Sequence, residues 1–111
     1  MLRKTAEVRF TDDNRILTAH VVGEIDHRGA TGIRNTIDET LISGDFSHLV
    51  LDLSGVNFMD SSGLGLILGR YNNAKKYGKG FSVTDPSPSA ERILSAAGAG
   101  RIINITKQRI K

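Results

Sequence analysis

The sequence has no cysteine and no tryptophan, two prolines, two tyrosines and four phenylalanines in 111 residues. Without cysteine there is neither a disulfide framework nor a thiolate metal site, which fits a reducing compartment and makes the cytoplasm the expected location. Long apolar runs are missing too. No window approaches the roughly 18 to 20 apolar residues of a membrane-spanning helix, and no prenylation or myristoylation pattern is present. The opening "MLRKTAEVRF" carries basic residues with no apolar stretch behind them, so it reads as a first strand and not as a secretory signal. No membrane association is expected. Lys and Arg outnumber Asp and Glu by 15 to 12, for a net charge of +3, but they are spread along the chain and aromatics make up only 5%. Nucleic-acid binders concentrate basic residues on one face and often interleave stacking rings, so nucleic acid is not an expected partner.

What is present suffices for one ordinary core. At this length, with 39% hydrophobic and 24% charged residues, residues 1–111 are expected to form a single domain. Ala6, Val8 and Phe10 alternate with Glu7 and Arg9, the period of a half-buried strand, and "TDDNR" supplies a turn before "ILTAHVVGEI", giving a hairpin. Asp26 can cap a helix with Ala30, Ile33, Ile37 and Leu41 at helical spacing, closed by Gly44 in a left-handed conformation. Gly29 and Gly32 weaken that helix by about 1 kcal/mol each relative to Ala.

"HLVLDLS" is a nearly continuous apolar run, the mark of a strand covered on both faces at the centre of a sheet. The next helix places Leu64, Ile67, Leu68, Tyr71 and Ala74 on one side and ends at Gly78. "KGFSVTD" reads as a strand. Ser87 then caps a helix with Pro88 at its first position and Gly98 or Gly100 as the stop, and Ile93, Leu94 and Ala97 face inward. "RIINI" is a final strand, and "TKQRIK" a frayed turn of helix holding Ile110. The order of elements is that of an α/β fold, a mixed sheet of about five strands with helices packed on it. In such folds function sits beyond the carboxyl ends of the strands.

One such place is "VNFMDSSGLGLILGRY", residues 56–71, where a strand hands over to a helix through Asp60, Ser61, Ser62, Gly63 and Gly65. Helix capping by Asp60 or Ser61 explains part of it. Capping does not account for two serines and an acid in a row, nor for Gly65 and Gly69 one turn apart on the side opposite Leu64 and Tyr71, where they weaken the helix. A hydrolase elbow reads Gly-x-Ser-x-Gly, and Met59 stands where its first glycine belongs. The candidate bases, His20, His27 and His48, read as surface or edge residues, so no catalytic residue is assigned. Gly63, Gly65 and Gly69 have the wrong spacing for a dinucleotide fingerprint, and no P-loop run exists. A phospho-aspartate receiver would need an acidic metal cluster, for which Glu24 and Asp26 alone are thin. No metal site and no cofactor of the chain's own is expected.

The remaining reading makes Ser61 a phosphate acceptor. A phosphoryl group there carries about −1.5 to −2 charges, which the free N–H groups at the helix start tolerate. A docked partner, close to Asp60 and to the stripe of Gly65, Gly69, Asn72, Asn73 and Lys76 with Leu66 nearby, would not tolerate it.

At these residues the sequence resembles the anti-sigma factor antagonists, single STAS domains of bacteria. "FMDSSGLGLILGRY" is similar to the sporulation branch, and "GEIDHRGA", "HLVLDLSGVNF" and "SPSAERILSAAGAGRIINI" extend the resemblance over nearly the whole chain. The resemblance implies a STAS-type fold and a non-enzymatic regulator that switches partners. In its unmodified form it binds an anti-sigma factor that is also a serine kinase, with ATP bound by that partner, and so frees a sigma factor. Phosphorylation of Ser61 releases it, and a metal-dependent serine phosphatase restores it. Carried over, Asp60 is the acid before the acceptor, Ser62 the second hydroxyl, Gly63 the tight turn, and Asp26 the acid that ends Gly-Glu-Ile-Asp and lies near Ser61; together with Gly65, Leu66 and Gly69 of the stripe they are the expected partner-binding residues. The other reading is a non-switching STAS module that binds a protein or a small ligand.

Overall fold

The hairpin expected at the start is the first feature of the computed structural model, which describes residues 5–107. The beginning of the opening segment and most of the expected C-terminal turn, with Ile110, lie outside the described residues. Strands β1 (Ala6–Asp13) and β2 (Ile16–Ile25) pair antiparallel, and the "TDD" residues expected in the turn extend β1 instead. The turn itself is Asn14 and Arg15, both at positive φ (57° and 66°), the two-residue geometry whose twist matches that of flanking strands.

Helix α1 (His27–Ser43) follows, then β3 (His48–Met59), α2 (Ser61–Lys76), β4 (Gly80–Thr84), α3 (Pro88–Ala96), a 3-10 turn at Ala99–Arg101 and β5 (Asn104–Thr106). The five strands lie in the order β1-β2-β3-β4-β5, parallel from β2 onward, so the sheet is mixed and β3 is its centre. A final strand over "RIINI" is shifted: Arg101 closes the 3-10 turn, and pairing begins at Asn104.

One hydrophobic cluster joins the helices to a single sheet face, through Ala19 and Val21 of β2, Leu49, Leu51 and Leu53 of β3, and Phe81 and Val83 of β4. β3 is therefore fully covered on one face only. Its other residues, Val50, Asp52 and Ser54, are half-buried, because Asp52 finds a polar partner in His20 of β2 and needs no helix above it.

Two helix faces differ from their expected phase. The buried arc of α2 runs through Gly63, Leu66, Ile67, Arg70 and Ala74, while Leu64, Leu68 and Tyr71 pack from the flank. Arg70 is drawn inside because its Nε lies 2.8 Å from Asp38 Oδ1 of α1, and Asn73 donates to the same oxygen at 3.0 Å. In α3, Ala90 and Leu94 are buried, Ile93 is partly so, and Ala97 is exposed just past the last turn. Gly44 closes α1 in an extended conformation (φ −77°), not a left-handed one. A side chain there would meet the Phe46 ring and the Thr40 carbonyl, to which the Gly44 amide donates, so close approach is what calls for glycine.

β4 pairs only with His48–Asp52 of β3. Beyond that point α3 takes the place of a neighbouring strand: the Ser87 amide donates to the Leu53 carbonyl and the Ser89 hydroxyl to the Asn57 carbonyl, each at 3.2 Å. The upper half of β3 thus runs past β4 with β2 beside it and delivers the junction to α2. Among the described residues no helix is long and apolar enough to cross a membrane.

Candidate functional site

β2 and β3 end together. Ile25 and Met59 are register partners, and the Asp60 amide donates to the Ile25 carbonyl at 3.4 Å. Each strand is followed by an aspartate that caps the next helix. Asp26 Oδ1 accepts from the Gly29 amide at 2.8 Å and from the Thr5 hydroxyl at 3.2 Å, and Asp60 Oδ1 accepts from the Ser62 amide at 2.8 Å. The N-terminal ends of α1 and α2, where free N–H groups concentrate positive potential, therefore lie side by side. The Gly29 amide holds the Asp26 carboxyl below the usual carboxylate range; partial desolvation opposes this, and Thr5 and Arg28 reinforce it.

The structure thus brings Asp26, Asp60, Ser61 and Ser62 to one rim. Ser61 is the first residue of α2 and is exposed, while Ser62 is half-buried. Gly65 and Gly69 lie on the outward side of α2, with no atom within 4 Å of the space a side chain would fill, beside exposed Asn72 and Lys76.

Gly63 and Leu66, expected to face a partner, do not. Leu66 is 5% exposed and belongs to the core. Gly63 is buried beneath Met59, whose Cγ and Sδ occupy the space of a β-carbon. With 3.6 residues per turn, the arc that buries Ile67 and Ala74 also carries positions 63, 66 and 70 inward. These two residues act from beneath: Met59 seats on the bare backbone of Gly63 and fixes where Ser61 emerges.

Of the three histidines, His27 opens α1 next to Asp26 on this rim and is exposed, and the other two lie elsewhere. His20 Nδ1 is 2.7 Å from Asp52 Oδ2 and its Nε2 is 2.9 Å from Thr11 Oγ1, on the open sheet face above a cleft of about 380 Å³. Burial pushes the Asp52 carboxyl up, but hydrogen bonds from the Ser54 amide and His20 outweigh it and leave the group below its ordinary value. His48 Nε2 is 2.9 Å from Ser82 Oγ, near the opposite ends of the strands. Sequence reasoning missed the Thr11–His20–Asp52 chain. Its signal was parity: once β1, β2 and β3 are aligned, residues 11, 20 and 52 fall on one face. Among the described residues no group of three or more His, Cys, Asp or Glu could hold a metal ion, so Glu24 and Asp26 acquire no acidic third member.

Comparison with known proteins follows the same geometry. A family model described as STAS domain matches residues 6–109. The chain is 38% identical over 99 residues to the anti-sigma F factor antagonist of Paenibacillus polymyxa, spanning 89% of this chain and 85% of that one. Its fold is similar to that of the anti-sigma factor antagonist SpoIIAA in its unphosphorylated form, with a TM-score of 0.76 and 24% identity over 92% of this chain and 90% of that one. It is also similar to the Bacillus cell fate determinant SpoIIAA in its phosphorylated form, with a TM-score of 0.70 and 24% identity over 92% and 93% of the two chains.

Proposed function

We propose, for a chain that belongs to the STAS domain family, that it is an anti-sigma factor antagonist switched by phosphorylation of Ser61. Unmodified, it binds an anti-sigma factor with serine kinase activity and so frees a sigma factor to act in the cytoplasm, in a sporulation-type programme. The kinase carries the ATP. The Ser61 hydroxyl oxygen forms a bond to the γ-phosphorus, the bond from that phosphorus to the ADP oxygen breaks, and the hydroxyl proton passes to a base on the kinase. A metal-dependent phosphatase reverses the modification by adding water across the Ser61 ester. Asp26, Asp60, Ser62, Gly65 and Gly69 line the face the kinase covers, and Gly63 and Leu66 hold that face in place.

The observation that carries this proposal is the exposed Ser61 at the first position of α2, on a strand end already tied to β2. A phosphate there meets free N–H groups and a favourable helix end, so the fold accepts it. The kinase does not. Moving a complex from mostly bound to mostly free needs about 10⁴ in affinity, roughly 5.5 kcal/mol. A dianion beside Asp60, stripped of water against a close-packed partner surface, supplies several kcal/mol of that, and steric exclusion supplies more. The solved phosphorylated and unphosphorylated forms of SpoIIAA support this reading by analogy.

The test is incubation with the cognate kinase and ATP, followed by peptide mass analysis. The phosphoryl group should lie on Ser61, be absent from Ser61→Ala and persist in Ser62→Ala. Labelling that moves to Ser62, or an acid-stable label absent altogether, contradicts the assignment.

A further inference from the structure

Alternation along β3 breaks just before the site. Leu49, Leu51 and Leu53 point into the core at every second position, but toward the strand's end the buried residues are Val56 and Met59, three apart, with Asn57 and Phe58 both exposed between them. The cause is a pair of bulges: His20 pairs with Asp52 and Val22 with Gly55, one residue more on β3 than on β2, and the same happens again one step later. Gly23 pairs with Val56 and Glu24 with Phe58, so β3 contributes one residue more than β2 over that step. An extra residue reverses the side-chain phase of everything after it. The first bulge brings Val56 inward in place of Gly55; without the second, Phe58 would follow Val56 inward, and with it Met59 turns in onto Gly63 and the Phe58 ring goes out, 46% exposed.

We infer that Phe58 is an apolar anchor for the same kinase that modifies Ser61. This rests on the reading of Ser61 as phosphate acceptor. The two positions are three apart in sequence, so their Cα atoms are at most about 11 Å apart. A standard interface covers about 800 Å² per partner, a patch of roughly 16 Å radius, so a protein centred on the Ser61 hydroxyl has the Phe58 ring within its reach. Aromatic side chains, phenylalanine among them, are enriched in the cores of protein interfaces. Of the other exposed large hydrophobics, Ile42 lies in the last turn of α1, about 22 Å along the helix from its start, and serves as a control.

The experiment measures kinase affinity for the parent, Phe58→Ala, Ile42→Ala and Ser61→Asp, with thermal unfolding of each. Phe58→Ala should weaken binding about tenfold or more with its unfolding midpoint preserved, and Ile42→Ala by less than about twofold. If Phe58→Ala unfolds, fluorine-labelled phenylalanine in the parent decides: of four phenylalanines, the Phe58 resonance should move when kinase is added. Binding by Phe58→Ala within twofold of the parent, or an unmoved resonance, overturns the anchor. When Ser61→Asp binds poorly and Phe58→Ala binds like the parent, the anchor alone fails. When Ser61→Asp binds like the parent, the phosphoswitch fails and the anchor falls with it.

Discussion

The β2–α1 and β3–α2 junctions are built alike and do different things. Both end a parallel strand in an aspartate that caps the next helix, and both place a glycine at the third helical position where a side chain would collide, Gly29 against the Glu24 carbonyl and Thr5 Oγ1, Gly63 against Met59. The first is bolted to the residue that leads into β1: Thr5 donates to Asp26, and the Glu24 amide donates to the Thr5 carbonyl at 2.6 Å. The second is held from below by Met59, and its helix opens with two hydroxyls and an outward face of bare glycines. One capping device therefore serves a fixed wall in one case and a modifiable edge in the other. The difference comes from what packs around the cap.

The comparison is broken most severely at the hydroxyl. Ser61→Asp should lower kinase affinity by up to about 10⁴, roughly 5.5 kcal/mol for a full switch, with an unchanged circular dichroism spectrum; His27→Asp, at the matching position of α1, should lower it far less. Next come the buried glycines. Gly29→Val meets a backbone carbonyl that cannot yield and should cost about 3 kcal/mol in urea unfolding, whereas Gly63→Ala meets the flexible end of Met59 and should cost about 1 to 2 kcal/mol.

The caps themselves come third. Asp60→Ala should cost about 1 kcal/mol of stability. Asp26 adds a pH signature. Because its carboxyl is held below the ordinary value, its stabilisation is present above about pH 4 and is lost as pH falls through the lower folded-state value. Asp26→Asn should flatten the acid limb of a stability-against-pH curve in that window.

The smallest effect is the most discriminating. Gly32, Gly65 and Gly69 all have open space where a side chain would go, so each change to Ala should stabilise the fold by somewhat under 1 kcal/mol. Gly32→Ala should leave kinase affinity alone. Gly65→Ala and Gly69→Ala should reduce it while raising the unfolding midpoint, and three equal binding curves would remove the glycine stripe from the interface.

Much of this was legible in the chain. Asp26, Ser87 and Pro88 announced their helix starts, Gly78 its helix end, and "MDSSG" marked the strand-to-helix handover, because capping and turn chemistry depend on neighbours a few residues away. The inward-facing positions of α2 were less so. Leu64 and Tyr71 looked central and proved peripheral, since a buried Arg70 is plausible only once Asp38 stands opposite it on α1. Leu66 was expected outside for the same reason.

By itself the sequence determined the element order, the Asp26 cap, a second cap at Asp60 or Ser61 and the serine at a helix mouth, all products of local backbone preference and short-range hydrogen bonding. Only the tertiary structure decided that the two caps stand shoulder to shoulder, that Gly63 is a seat for Met59, and that a bulge opposite Gly23 turns Phe58 outward. Each of these depends on register between strands distant in sequence, and a shift of one residue there reverses which side chains meet water.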